Sequence, residues 1–285
     1  MPPTKPTFGP TQRLQRLYEQ GIRQITGRVL LRKEPEQSFS EWIAALQRRS
    51  QEPDIEAAST LLASRMVSQI SAKNMKTWRQ AAAKSQRSAM LYRLLQQEMQ
   101  GPTGLRVQQI VRENARLISS LPIEAATKFA EEIEKAQQAG ARASTLDKMA
   151  RARFPELLRS RVHLISRTET SKCSSALTQA RAEHLNLPAY IWRTSKDARV
   201  RDSHAKMDGV VCFWADPISP EALAGEKSYG PYNCGDTFND RCYPEVVLTL
   251  DDISFPARVA TKGRIITMTK QQFKQQFAVQ ELEAA

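Results

Sequence analysis

For its first 187 residues the chain keeps one rhythm. Apolar residues return at helical spacing, and no apolar–polar alternation of the strand kind occurs before Pro188. Leu14, Leu17, Ile22, Ile25 and Val29 predict a helix over 11–33, weakened by Gly21 and Gly27. Ser38 with Glu41 is a capping-box signature ahead of Phe39, Trp42, Ile43 and Leu46. Pro53 starts a further run through Ile55, Leu62, Met66, Ile70, Met75 and Trp78, which lasts to the stop at Gly101-Pro102. Helices are then expected over 105–121, from Pro122 to 139, briefly from Ser144 to 153, and from Pro155 to 183.

After Pro188 the character changes. Strands are expected over 189–194, 210–214 and 242–250, the last continuing into 253–258, with a short β-like run over 265–268. Residues 217–235, rich in Pro and Gly, read as a loop, and Thr269 as the cap of a last helix carrying Phe273 and Phe277. The fold class is therefore α+β, mainly α. A proline-rich flexible arm (1–10) precedes a helical region (11–116), a small α+β domain (117–248) and a β/α tail (249–285).

The net charge is +12, and a basic chain is drawn to polyanions such as DNA. Arg151, Arg153, Arg159, Arg161, Arg199 and Arg201 are candidate DNA contacts; a solvated basic helical surface would look the same. No apolar run approaches the roughly 18 residues of a membrane span. The N-terminus has no apolar segment of the secretory kind, so the four cysteines are expected in a reducing compartment, as thiols or metal ligands.

All four cysteines, all three histidines and two of the four tryptophans fall between Arg161 and Pro244. Within this stretch Arg167, Glu169, Asp197, Arg199, Arg201, His204 and Arg241 are expected to form a structural polar network. Arg167 would fork onto Asp197 or Asp208, and Glu169 would accept from Arg199, Arg201 or Arg241. Asp197, Arg199 and Arg201, two apart, would share one side of an extended or turn segment. His204, Cys212, Cys234 and Cys242 are a candidate zinc set, without the close cysteine pairs typical of structural zinc. A Cys234–Cys242 disulfide and plain buried thiols are the other readings. Ser203 precedes His204, but no nucleophile elbow or phosphate loop accompanies them, so no catalytic residue is expected. The competing enzyme reading is a metal-dependent nuclease or toxin-like transferase using Glu169, Asp197 and His204.

Arg167-Thr-Glu169-Thr on a helix, Leu187-Pro-Ala-Tyr190-Ile-Trp192, and Thr194-Ser-Lys-Asp197-Ala-Arg199-Val-Arg201-Asp-Ser-His204 follow one another in this stretch. Met207-Asp-Gly209 and Asn239-Asp-Arg241-Cys242 complete it. Over roughly residues 117–247 the chain resembles the Mu-F-like minor head proteins of tailed bacteriophages, also called head morphogenesis proteins. That family usually closes on Cys-Arg-Cys; here Asp240 stands where the first cysteine would be, with Cys234 nearby. The resemblance implies a structural, non-enzymatic component of the phage head. It would lie inside the virion, and in the host cytoplasm during assembly. It would bind the portal protein, with major capsid or scaffold protein and packaged double-stranded DNA as further partners.

Overall fold

The computed structural model describes residues 7–31, 33–34, 36–83 and 88–277. It is mainly α, with one mixed five-stranded sheet in the C-terminal part, so the α+β class read from the sequence holds. Contacts divide the chain into two interleaved units. One comprises 11–68 and 109–169; the other comprises 1–10, 69–108 and 170–285. This division cuts across the sequential regions suggested by the sequence, because three long helices each contribute to both units.

In the first unit, α1 (Gln12–Val29) and α2 (Phe39–Ser50) precede the start of α3 (Pro53–Ala82). The Ser38–Glu41 capping box forms in both directions. Ser38→Ala is expected to lower stability by about 1 kcal/mol, read by urea titration, because the Glu41 amide loses its acceptor. α1 runs unbroken through Gly21 and Gly27. Gly21 is there for proximity: a Cβ would stand 2.4 Å from a Leu62 methyl, so the glycine lets α1 and α3 approach. Phe39, Trp42, Phe129 and Phe154 form an aromatic cluster in this unit.

Two prolines expected to start helices lie inside them. α5 (Pro102–Gln138) contains Pro122, and α6 (Ala143–His184) contains Pro155. An interior proline removes one backbone bond and costs about 3 kcal/mol. Burial of Leu121, Ala125, Ala126 and Phe129 beside Pro122, and of Leu157, Leu158 and Val162 after Pro155, offsets that cost. The run expected from Pro53 to Gly101 is two helices, α3 and α4 (Ser88–Gln97), followed by a one-turn 3-10 segment, Glu98–Gln100.

The second unit holds the sheet. Its strands are β1 (Ala189–Arg193), β2 (Val211–Phe213), β3 (Tyr243–Val246), β4 (Ala257–Thr261) and β5 (Arg264–Met268), in the order β3-β1-β2-β4-β5. β2 and β4 are parallel; the other pairs are antiparallel. β1 lies inside the sheet, between β3 and β2, and is almost wholly buried, which is why its sequence shows only weak alternation. The strand expected over 242–250 is shorter than that, and 253–258 does not extend it. The chain instead makes a 3-10 turn at Leu250–Asp252 and enters β4, which pairs with β2 and hairpins through Lys262-Gly263 into β5. Short helices α7 (Asp202–Ala205) and α8 (Pro220–Ala224) punctuate the connections, and α9 (Lys270–Phe277) stacks Phe273 and Phe277 on Phe213.

The arm expected over 1–10 is anchored at its end; residues 1–6 lie outside the described residues. Phe8 is 2% exposed and meets Trp78 edge-on, and Lys73 donates to the carbonyls of Thr7 and Gly9. That burial holds the Lys73 amine at about 8.

Candidate metal centre

Between β1 and β2 the chain leaves the sheet at Thr194 and returns at Gly209. The Asp208 carboxylate closes the base of this excursion by accepting from the Thr194 amide and hydroxyl. Asp197 accepts from the Arg199 amide, an Asx turn, so residues 197–201 take the turn form of the extended or turn segment expected there. The turn feeds α7, whose single turn holds His204 edge-on to Trp192, with ring centroids 5.7 Å apart.

A second excursion, from β2 to β3, brings the remaining groups. α8 starts with Ser219 as its cap and carries Glu221 in its first turn. Farther on, Gly235 takes a left-handed φ of 83°. Its amide donates to Asp240 Oδ2 at 3.0 Å, and Asp240 Oδ1 accepts from the Cys242 amide at 2.8 Å. The loop thus folds its own carboxylate inward.

His204 sits where the two excursions meet, 2% exposed. Its Nδ1 lies 3.3 Å from Asp240 Oδ1 and 3.4 Å from Cys242 Sγ. Its Nε2 lies 2.9 Å from the Tyr232 hydroxyl, 3.3 Å from Glu221 Oε1 and 3.4 Å from Arg201 Nη1. Tyr232 in turn donates to Glu221 at 2.7 Å. The ring is therefore held between a Tyr–Glu pair on one nitrogen and an Asp–Cys pair on the other.

The electrostatics follow from that arrangement. Burial pushes the His204 imidazole down, but the hydrogen bonds to Asp240 and Cys242 and their charges hold it at about 10. Burial raises Asp240, and the His204 hydrogen bond and charge bring it below the usual carboxylate range. Glu221 is lowered in the same way: burial opposes, while Tyr232 and His204 prevail. A hydrogen bond from Cys234 pulls the Cys242 thiol below its ordinary value, aided by His204, whereas burial drives Cys234 well above it. A cavity of about 70 Å³, lined in part by Arg199, Arg201 and Arg241, adjoins the cluster.

Asp197, Arg199, Arg201, His204 and Arg241 fall in the sheet-bearing unit; Arg167 and Glu169 fall in the other. Asp197 takes a fork from Arg241 rather than from Arg167. Arg201 donates to the Phe238 carbonyl, lies over the Phe238 ring and reaches Glu221 at 3.7 Å. Glu169 accepts from Asn114, and Arg167 contacts His163.

Of the expected zinc set, His204 and Cys242 come together, with Cys234 against Cys242. Cys212 turns away: it faces the Val210 carbonyl and Tyr190, and burial pushes its thiol up to about 12. All four cysteines are buried free thiols. Asp240 takes the place expected of Cys212; His204, Asp240 and Cys242 offer ligand atoms all within 4.8 Å of one another. Glu221, Tyr232 and Asp240 were not among the expected site residues. Asp240 was visible only as the acid in a cysteine's place, and Glu221 sat unremarked in a Pro/Gly-rich loop.

Ser203 Oγ is buried without a hydrogen-bond partner, so it forms no nucleophilic pair with His204. Among the candidate DNA contacts, Arg153 pairs with Glu132 and Glu156, and Arg161 with Glu124. Arg159 and Arg199 are exposed, and neither guanidinium has a partner among the described residues. The side chain of Arg151 lies outside the described residues.

A helix-backed mixed sheet, with two excursions meeting over a buried His–Asp–Cys cluster, defines the class of domain. Residues 127–242 match the family described as phage Mu protein F like protein, so this segment is Mu-F-like and the resemblance seen in the sequence holds there. An uncharacterized protein of Haemophilus influenzae is 31% identical over 132 residues, covering 45% of this chain. The chain spans only 28% of that relative's length. No solved structure matches. No helix among the described residues is long and apolar enough to cross a membrane.

Proposed function

We propose that this chain is a structural minor protein of a tailed-phage head, bound to the portal inside the capsid and acting during head assembly, DNA packaging or ejection. The observation that carries the reading is the Mu-F-like match over 127–242, a family of phage head morphogenesis. The charges of the sheet-bearing unit support a scaffold more than a reaction site, because they engage one another. Arg241 forks onto Asp197, Arg193 pairs with Glu245, and His204 stands between Glu221 and Asp240. No catalytic step is assigned to them. The charge of +12 suits a face toward packaged DNA, with Arg159 and Arg199 as the free guanidinium groups. Arg153 and Arg161, also among the expected contacts, are half-exposed and paired with glutamates. Major capsid or scaffold protein is a further partner of the assembly.

The test is co-expression with the portal and major capsid proteins of the phage or prophage that encodes the chain. The chain is expected to co-purify with portal oligomers and to be present in isolated heads. Absence from heads together with no portal association overturns the reading.

A further inference from the structure

We propose that His204, Asp240 and Cys242, joined by Cys234, bind a zinc ion that ties the α7 turn to the loop entering β3. The inference concerns the residues of this cluster and does not depend on the head-protein reading.

Distances carry the first part of the argument. A charge-assisted hydrogen bond between a ring nitrogen and a carboxylate closes to about 2.7–2.9 Å. His204 Nδ1 instead stands 3.3 Å from Asp240 Oδ1 and 3.4 Å from Cys242 Sγ, nearly the same distance from a carboxylate and a thiol sulfur. Ligands of a tetrahedral zinc, with Zn–N and Zn–O near 2.1 Å and Zn–S near 2.3 Å, stand roughly 3.4–3.6 Å apart. The spacing is that of ligand atoms around a common centre.

The far side of the ring carries the second part. A metal-bound histidine donates its other N–H to a carboxylate or a group backed by one, which fixes the tautomer and makes the free nitrogen a better ligand. His204 Nε2 meets the Tyr232 hydroxyl at 2.9 Å, and Tyr232 is itself committed as a donor to Glu221. Tyr232 must therefore accept from Nε2–H. That leaves Nδ1 turned toward Asp240 and Cys242. Asp240 is held for the same task by two backbone amides, those of Gly235 and Cys242.

Donor chemistry selects the ion. One imidazole, one carboxylate and one or two thiolates suit zinc; calcium and magnesium take oxygen. Cys234, hydrogen-bonded to Cys242, is the next donor at hand. Binding replaces the proton that His204 shares with Asp240 and the thiol protons of Cys242 and Cys234, and all three leave to solvent. The ion supplies cross-linking: two excursions of the sheet, 38 residues apart at His204 and Cys242, acquire a common anchor.

The test uses the full-length, untagged chain purified in reductant without chelator. Elemental analysis is expected to find stoichiometric zinc. Cobalt in its place should give thiolate-to-cobalt charge-transfer absorption. Chelator should lower the melting temperature of the wild type. Cys242→Ser should lose the ion, whereas Cys212→Ser should keep it. Glu221→Gln, which leaves every proposed ligand intact, should weaken zinc about 10- to 100-fold in competition with a chromophoric chelator. Asp240→Cys, which keeps a ligand at the position, should retain zinc and the fold even if Cys242→Ser does not fold. A cooperatively folded wild-type chain that takes up no zinc from solution overturns the proposal. Zinc content unchanged in Cys242→Ser, or equal loss in Cys212→Ser, overturns the ligand set.

Discussion

Glu98→Ala is expected to destabilise the protein by about 3–5 kcal/mol, the cost of stranding a buried arginine. Arg181 and Glu98 are among the most deeply buried charges of the chain, with side chains 1% and 3% exposed. Arg181, on α6, places Nε and Nη2 on the two oxygens of Glu98 at 2.6 and 2.7 Å, a planar fork from the 3-10 turn that follows α4. Nη1 donates to Asn74, Nη2 also donates to Ser71, both on α3, and Asn74 itself donates to Thr178 at 2.7 Å. Four of the five guanidinium N–H groups thus have acceptors. Removing the carboxylate leaves a cation without water or counter-charge. A urea titration followed by circular dichroism reads the loss. The double variant Glu98→Leu/Arg181→Met should recover most of it, because two apolar side chains of similar volume remove both charges at once. A loss below about 1 kcal/mol in Glu98→Ala would mark the pair as solvated, since exposed pairs contribute no more than that.

This pair was invisible in the sequence for a physical reason. Glu98 lies just before Gly101-Pro102 in what reads as the end of a helix, and Arg181 near the end of another; nothing local distinguishes them from solvated charges. Burial of a charge is a tertiary fact. The features that depend on local chemistry were legible: the Ser38–Glu41 box, the apolar stripe of α1, and the onset of strands after Pro188. Prolines were the local signal that misled. Pro122 and Pro155 suit a first helical turn, yet each lies within a helix, because flanking apolar residues gain more from burial than the missing bond costs. The β4–β5 hairpin carried a readable signal in Lys262-Gly263, both at positive φ, as the two central residues of such a turn require.

The cluster at His204 shows the same boundary between local and tertiary information. His204 and Cys242 stand out by residue type within a stretch rich in charged groups, and the sequence brings them forward. Their partners depend on how two loops fold back. Cys212 was expected beside them because it is a cysteine; its place in β2 opposite Tyr190 turns it elsewhere. Asp240 was read as a departure from a cysteine pattern, yet its carboxylate occupies the position that departure vacates. Chemical type alone therefore selected three of the four groups and missed the anionic donor held by backbone amides.

Those amides make Gly235 the second position where a single change should have a large effect. Gly235→Ala is expected to cost about 2–4 kcal/mol. Residue 235 adopts φ of 83°, a region that charges a side chain roughly 1–2 kcal/mol. The added Cβ would also fall 2.1 Å from Ser175 Oγ on α6 and 3.0 Å from the Cys242 carbonyl. The hydroxyl can rotate away; the carbonyl belongs to the residue that leads into β3 and has little room to move. Overpacking of this kind typically adds about 1–3 kcal/mol. The companion variant Gly235→Ala/Ser175→Ala separates the two contributions. It removes the hydroxyl and keeps both the backbone strain and the approach of Cys242, so a partial recovery of stability in urea titration is expected. Full recovery would assign the whole cost to Ser175. No loss in Gly235→Ala would mean that the turn relaxes to negative φ. It would then carry the Gly235 amide away from Asp240 and loosen the carboxylate beside His204.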